Sequence, residues 1–282
     1  MKKIRRALLV TPPATSEADF TPHRAPIQWL LVSQRSPMKH LIYHLTPLDT
    51  PAGQLCFQWH LRQVNHYANL FDGQRIFAIT TGPDMVPPES VIPLLPPGSQ
   101  SITLPNQQEV REVYTLPLLL AKAFTLDPAD AVFYAHGKGV SWLGHPFEAA
   151  TRWWSLAMYR WLLCEETINL LQSQPLVGWM KYEGLAPSFP TFSAWHYCGT
   201  YFWFRAAEVY KRAWWWIHPS KYGAEAYASG LFPTAAAACK FRITPENYFL
   251  PNGVSRLYDA DFWNQIGIPT GPDADSYEGS PL

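Results

Sequence analysis

Four short stretches hold the residue types that do chemistry. The first is His136-Gly137-Lys138-Gly139. Two glycines let a backbone come close to a ligand, and lysine is a compact cation suited to a phosphate. The histidine can hydrogen-bond, bind a metal or move a proton. The plain alternative is a strand-to-loop turn with a solvated lysine. The second stretch is the aromatic run from Trp195 to Phe204. Gly199 inside a strand marks a bulge or a close ligand approach, and His196 stands where the strand begins. Phe202 and Phe204 read as core. The third is Tyr222-Gly223-Ala224-Glu225, an acid opening a helix, where a dipole or cap effect is the ordinary reading. The fourth is a pair of Asp-x-Asp patterns, Asp259-Ala260-Asp261 and Asp273-Ala274-Asp275. Two carboxylates with diphosphate oxygens suit Mg²⁺ or Mn²⁺, although three-letter patterns recur by chance. His196 and Cys198 share a strand face without being aimed at each other, so a thiol nucleophile is not expected. Gly-x-Ser-x-Gly, the Walker phosphate loop and GxGxxG are all missing from the sequence.

The elements that must position these residues follow from periodicity. Strands are expected at Lys39–Leu45, 75–80, 101–104, 131–135, 176–180 and 197–204, with a further short one at 254–258. Helices are expected at 57–71, 110–124, 146–171, 206–216 and 222–231. The helical spacing of 57–71 is carried by Leu61, Val64, Ala68 and Phe71. The segment Ala131 to Ala135 is short and wholly apolar, as in the middle of a parallel sheet, and it runs straight into His136. Strands and helices alternate through 39–180. The expected fold is therefore α/β, a mostly parallel sheet with helices on both faces. Ligands in such sheets bind outside the carboxyl ends of the strands, which is where His136 to Gly139 falls. The chain is read as an irregular extension over 1–37, one catalytic domain over 38–263 and a loose tail over 264–282.

Composition narrows the partners. The chain has 282 residues, 48% of them hydrophobic and only 16% charged, which describes a folded, core-rich protein. Lys plus Arg and Asp plus Glu are each 22. With no basic surplus, nucleic acid is not expected as a partner. The 27 prolines imply rigid loops, and the 13 tryptophans imply a heavy core or a platform for flat sugar faces. Cys56, Cys164, Cys198 and Cys239 are far apart and form no CxxC, so free thiols in a reducing, cytoplasmic setting are expected. The start, MKKIRRALLV, has too short an apolar run for a secretory signal. No apolar stretch reaches membrane-spanning length, and the basic start leaves only peripheral membrane contact open.

The order of these pieces resembles a family of small GT-A-type glycosyltransferases of polysaccharide and glycan biosynthesis, marked by a His-x-Lys-Gly motif. The resemblance covers roughly residues 38–235. It rests on Leu70-Phe71-Asp72-Gly73-Gln74-Arg75-Ile76, His136 to Gly139, the Trp-rich Arg152-Trp153-Trp154 with Met158, and Val177-Gly178. It continues through His196, Gly199, Trp203 and Ala206 to Tyr222 and Glu225. Two places depart from it: Gly137 stands where Thr or Ser is common, and Tyr197-Cys198-Gly199-Thr200 replaces Phe-Ser-Gly-Asn. The resemblance implies a GT-A-like, Rossmann-like domain moving a sugar from a nucleotide-sugar donor to a glycan or other hydroxyl acceptor. The donor would lie near Thr46, Thr80, Thr81, His136, Lys138 and Gly139. Lys138 would offset the diphosphate charge, assisting or partly replacing a divalent cation (Mn²⁺ or Mg²⁺). Trp153, Trp195, Gly199 and Tyr222 would line the sugar or acceptor pocket. Glu225 would be the general base, with His196 beside it. The alternatives are a non-catalytic nucleotide-sugar or carbohydrate binder and an interaction subunit of a glycan-assembly complex.

Overall fold

The computed structural model describes residues 36–124, 127, 129–184, 193–244 and 255–270. Eight strands form one sheet: β1 (Lys39–Leu45), β2 (Arg75–Thr81), β3 (Gln100–Pro105), β4 (Ala131–His136), β5 (Leu176–Glu183), β6 (Trp195–Tyr197), β7 (Phe202–Arg205) and β8 (Ala237–Ile243). The order is β3-β2-β1-β4-β7-β5, with β6 and β8 also paired to β5. The β3-β2-β1-β4 part is parallel, as expected from the alternating sequence. Beyond β4 the sheet is mixed. β7 runs antiparallel to β4 and β5, β6 is antiparallel to β5, and β8 is parallel to β5.

Helices cover both faces. On one side α1 (Pro51–His66) and α4 (Glu148–Leu162) bury Phe57, Leu61, Leu156 and Tyr159 against Tyr43, Phe77, Phe133 and Trp203. On the other, α3 (Glu112–Lys122) and α7 (Gly223–Leu231) bury Leu116, Leu120 and Tyr227 against Ile42, Ile76, Val132 and Tyr134. Alternate residues of one strand thus serve opposite cores, the consequence of a period of two. Among the described residues there are also four short helices: α2 (Pro88–Val91), α5 (Glu165–Asn169), α6 (Ala206–Tyr210) and α8 (Ala260–Gln265). Among the described residues no helix is long and apolar enough to cross a membrane.

Several elements depart from their expected bounds, each for a local reason. α1 starts earlier than periodicity suggests because Thr50 caps it, accepting from the Gly53 amide at 3.1 Å, and Pro51 opens its first turn. The long helix expected over 146–171 breaks after Leu162, where Cys164 is extended and begins α5. The aromatic run is two strands, not one. Gly199 and Thr200 both take positive φ, +89° and +65°, so the chain turns between β6 and β7. The helix expected over 206–216 ends at Tyr210. β8 has no counterpart in the sequence reading, because Lys240 and Arg242 break its apolar run. The strand expected at 254–258 is a bridge residue and a 3-10 turn over its described part. Trp263 and Ile268 are buried in the core, so the segment read as a tail from 264 begins inside packed structure. Residues 1–35 and 271–282 lie outside the described residues, the latter with Asp273 and Asp275.

Candidate active site

A cavity of about 730 Å³ opens at the carboxyl ends of β1 and β4. Its floor is the loop that follows β4, and a buried polar relay fixes that loop. The Gly137 amide donates to His44 O at 2.9 Å. His60 Nε2 donates to the Lys138 carbonyl at 2.6 Å. A carbonyl only accepts, so Nε2 carries the proton and Nδ1 accepts from the Tyr159 hydroxyl at 2.9 Å. Tyr159 in turn accepts from Tyr43 at 2.8 Å. Burial pushes His60 down to about 3, keeping the ring neutral. Tyr201 donates to the His136 carbonyl. Two carbonyl anchors, those of His136 and Lys138 on either side of Gly137, are therefore held from beneath by side chains of α1, α4 and the β6–β7 turn.

The Lys138 side chain lies over the Trp154 indole, with Nζ 4.0 Å from the ring centroid. Burial lowers its pKa, while Glu225 and then Glu112 oppose that shift. Gly139 has φ +103°, and a Cβ there would sit 3.3 Å from the Thr151 methyl. A left-handed residue pressed against α4 favours glycine.

Two carboxylates face this cation. Glu112, in the first turn of α3, approaches His136 Nδ1 at 3.1 Å. The other ring nitrogen of His136 meets the Gly199 carbonyl at 3.0 Å. Burial works against a charge on Glu112, but the His136 ring and its hydrogen bond outweigh it and hold the acid below the usual carboxylate range. Glu225, in the first turn of α7, moves the other way. Burial raises it, the Glu112 charge raises it further, and Lys138 only partly offsets them. Its Oε2 is buried with no hydrogen-bond partner among the described residues, as is Trp154 Nε1. Both residues line the cavity. An acceptor and a donor left open on one cavity are groups a ligand can satisfy.

The rest of the wall mixes basic side chains, Arg111 and Lys221, with buried groups held neutral. His196 is pushed down to about 3 by burial, which keeps its ring neutral. Cys198, with Sγ 3.9 Å from His196 Nε2, is pushed up to about 12 by burial, which leaves an inert thiol. His44 is pushed down to about 4 by burial and bridges Thr115 and Thr46 hydroxyls at 2.7 and 3.0 Å. At the rim, Tyr258 stacks on Phe147 with centroids 4.1 Å apart.

Of the residues singled out in the sequence, Thr46, His136, Lys138, Gly139, His196, Gly199, Tyr222 and Glu225 line this one cavity. Thr80, Thr81, Trp153 and Trp195 do not. Thr80 and Thr81 donate to the Leu45 and Leu104 carbonyls. Trp195 is buried, donating to Phe232 O at 3.0 Å, and Trp153 packs on the core. Asp259 and Asp261 lie outside the cavity as well. Asp259 caps α8, its Oδ1 accepting from the Asp261 amide at 3.1 Å. Among the described residues no group of three His, Cys, Asp or Glu is placed to hold a metal ion. Sequence reasoning missed Glu112, Trp154, His44 and Tyr258. Trp154 lay inside a quoted motif, but the Glu112 carboxylate pairs with His136, which stands on a different element.

The structure is that of an α/β protein with a cavity at the carboxyl ends of β1 and β4. No family model matches the chain, and no curated protein matches it. Solved structures do. One described as a nucleotide-diphospho-sugar transferase from Desulfovibrio desulfuricans G20 is 11% identical over 82% of this chain and 98% of its own, with a TM-score of 0.39. Rv0371C of Mycobacterium tuberculosis H37Rv, solved with manganese, is 13% identical over 82% and 98%, at 0.37. HddC from Yersinia pseudotuberculosis is 9% identical over 73% and 91%, at 0.40. At these scores the similarity carries nothing about activity, and the functional reading rests on the site.

Proposed function

We propose that this chain is a glycosyltransferase that moves a sugar from a nucleotide-activated donor to a hydroxyl acceptor. The observation that carries the reading is the opposition of Lys138 and Glu225 on one cavity. The cation is buried and backed by an indole, and the carboxylate has an open oxygen and a raised proton affinity. The donor diphosphate lies against Lys138, at the loop after β4. The acceptor hydroxyl meets Glu225. As the acceptor oxygen bonds to the anomeric carbon, the bond from that carbon to the diphosphate oxygen breaks. Glu225 takes the hydroxyl proton, and the nucleoside diphosphate leaves with its charge offset by Lys138. Glu112 does not touch the reacting atoms. Its fixed negative charge keeps Glu225 basic, and its pairing with His136 holds the loop. His196 and Tyr222 line the side of the cavity left for the sugar.

The test is thermal unfolding against nucleoside diphosphates and nucleotide sugars, each with and without Mn²⁺. A ligand bound only by the native state at 100 times its Kd adds about 2.7 kcal/mol. A shift with one nucleotide, and turnover that E225Q abolishes while donor binding persists, is the expected result. Unchanged turnover in E225Q removes Glu225 as the base. Donor binding with neither hydrolysis nor transfer in the unaltered chain replaces the transferase reading with a non-catalytic binder. No shift across the panel removes both.

A further inference from the structure

Among the described residues most tryptophans are buried or half-buried, but two are not. Trp215 and Trp216 are 62% and 53% exposed. They sit in the turn-rich segment that follows α6, and that segment is pinned from below. Trp214 packs edge-on against Tyr210 at 5.5 Å, and the Tyr227 hydroxyl donates to the Trp214 carbonyl at 2.9 Å. The next two indoles are thereby presented outward. Ring contacts extend the patch across Tyr210 to Phe124, which is 48% exposed at the end of α3.

Basic side chains predominate along this segment. Between Glu208 and Glu225 the chain carries Lys211, Arg212 and Lys221 and no Asp or Glu, within a protein whose formal charge is zero. Lys122 adds a further cation in the last turn of α3. Glu208 lies 3.7 Å from Lys211 and 3.9 Å from Arg205, Arg212 lies over the Phe232 ring at 4.2 Å, and Lys221 over the Tyr222 ring at 4.9 Å. Glu225 faces the cavity. The segment ends in the cavity wall, since both Lys221 and Tyr222 line it.

We propose that the Trp215–Trp216 turn with its basic surround is a docking surface for an anionic phospholipid bilayer. Indole rings settle at the boundary between headgroups and acyl chains. A juxtaposed cluster of Lys and Arg is drawn to the negative surface potential. A bilayer on this face would lie beside the cavity mouth at Tyr222. The inference does not depend on the transferase reading, because lipid binding and nucleotide binding are measured separately.

The test uses the full chain and flotation with phosphatidylcholine vesicles, with and without phosphatidylglycerol. The unaltered protein is expected to float with the anionic vesicles, less so as salt rises, and not with phosphatidylcholine alone. W215S/W216S should lose more than about tenfold in partition, and K211Q/R212Q about fivefold per charge. Both variants should keep the thermal midpoint of the parent. The basic residues of 1–6 are present in every sample. Equal flotation of W215S/W216S and the parent therefore overturns the proposal and moves binding elsewhere. Failure of the parent to float overturns it too. Self-association of the parent that W215S/W216S abolishes, with no response to lipid, assigns the patch to a second copy instead.

Discussion

The Glu112 carboxylate lies 3.1 Å from His136 Nδ1, joining the first turn of α3 to the last residue of β4. The same charge raises the proton affinity of Glu225 on α7. One acid thus serves as a strut for the loop and as the field that tunes its neighbour. Removing it separates the two roles. In E112Q, Glu225 loses the like charge and its pKa falls, so the acidic limb of the turnover profile moves to lower pH. The His136 pair also weakens. A pH–rate profile beside a thermal midpoint reads both, and a loss of stability with an unmoved limb would assign Glu112 to structure alone.

Lys138 should carry donor affinity. A charge-assisted hydrogen bond is worth about 1.5–3 kcal/mol, so K138M should weaken nucleoside diphosphate binding by about tenfold or more. K138R is not expected to restore it, because a planar fork does not replace a compact ammonium seated on an indole. W154F should have a smaller effect, since the cation–π contact is worth about 0.5–2 kcal/mol. Calorimetric titration distinguishes the three variants. Equal affinity in K138M and the parent would place the diphosphate elsewhere.

The strand–loop motif at His136 to Gly139 was legible because a short apolar strand running into two glycines needs no distant information. Glu225 was legible only through its place in an order of motifs. Glu112 was not, because its meaning lies in contacts with His136 and Glu225 that spacing does not encode. Thr80 and Thr81 were placed in the site from their position at a strand end, yet their hydroxyls serve neighbouring carbonyls. Trp195 failed differently. Side chains alternate along a strand, and its ring falls in the core on the α7 side while His196 faces the cavity. The break at Gly199 and Thr200 could have been suspected from the glycine, but the positive φ at Thr200 has no signal in its residue type.

Three buried histidines make stability depend on pH. Burial takes His44 down to about 4 and His60 and His196 to about 3, against an unfolded value near 6.5. Between about pH 6.5 and 4 the unfolded chain binds these protons and the folded chain does not. The contribution of these three rings is therefore full above pH 6.5 and falls as pH drops through that window, whereas the raised Glu225 acts in the opposite sense. Each ring contributes at most about 1.4 kcal/mol per pH unit, or ~4 for all three. Denaturant titrations across pH 7 to 4 should show this slope, and H60Q should reduce it by about one proton. A flat profile over that range would mean these rings charge without unfolding.

The relay beneath the loop gives a prediction that needs no ligand. Tyr159 stands between Tyr43 and His60, and His60 between Tyr159 and the Lys138 carbonyl. Y159F keeps the ring and its packing but leaves His60 Nδ1 and the Tyr43 hydroxyl buried without their partner. A buried polar group left unsatisfied costs about 1–3 kcal/mol, so Y159F should lose roughly that much in chemical denaturation. Freed of its partner, His60 can turn, and its hold on the Lys138 carbonyl weakens. Amide exchange at Lys138 and Gly139 should therefore quicken beyond what the global loss explains, whereas Y43F should leave the His60 link intact and exchange there near the parent rate. If Y159F and Y43F behave alike, the relay ends at Tyr159 and the loop is held by the strand alone.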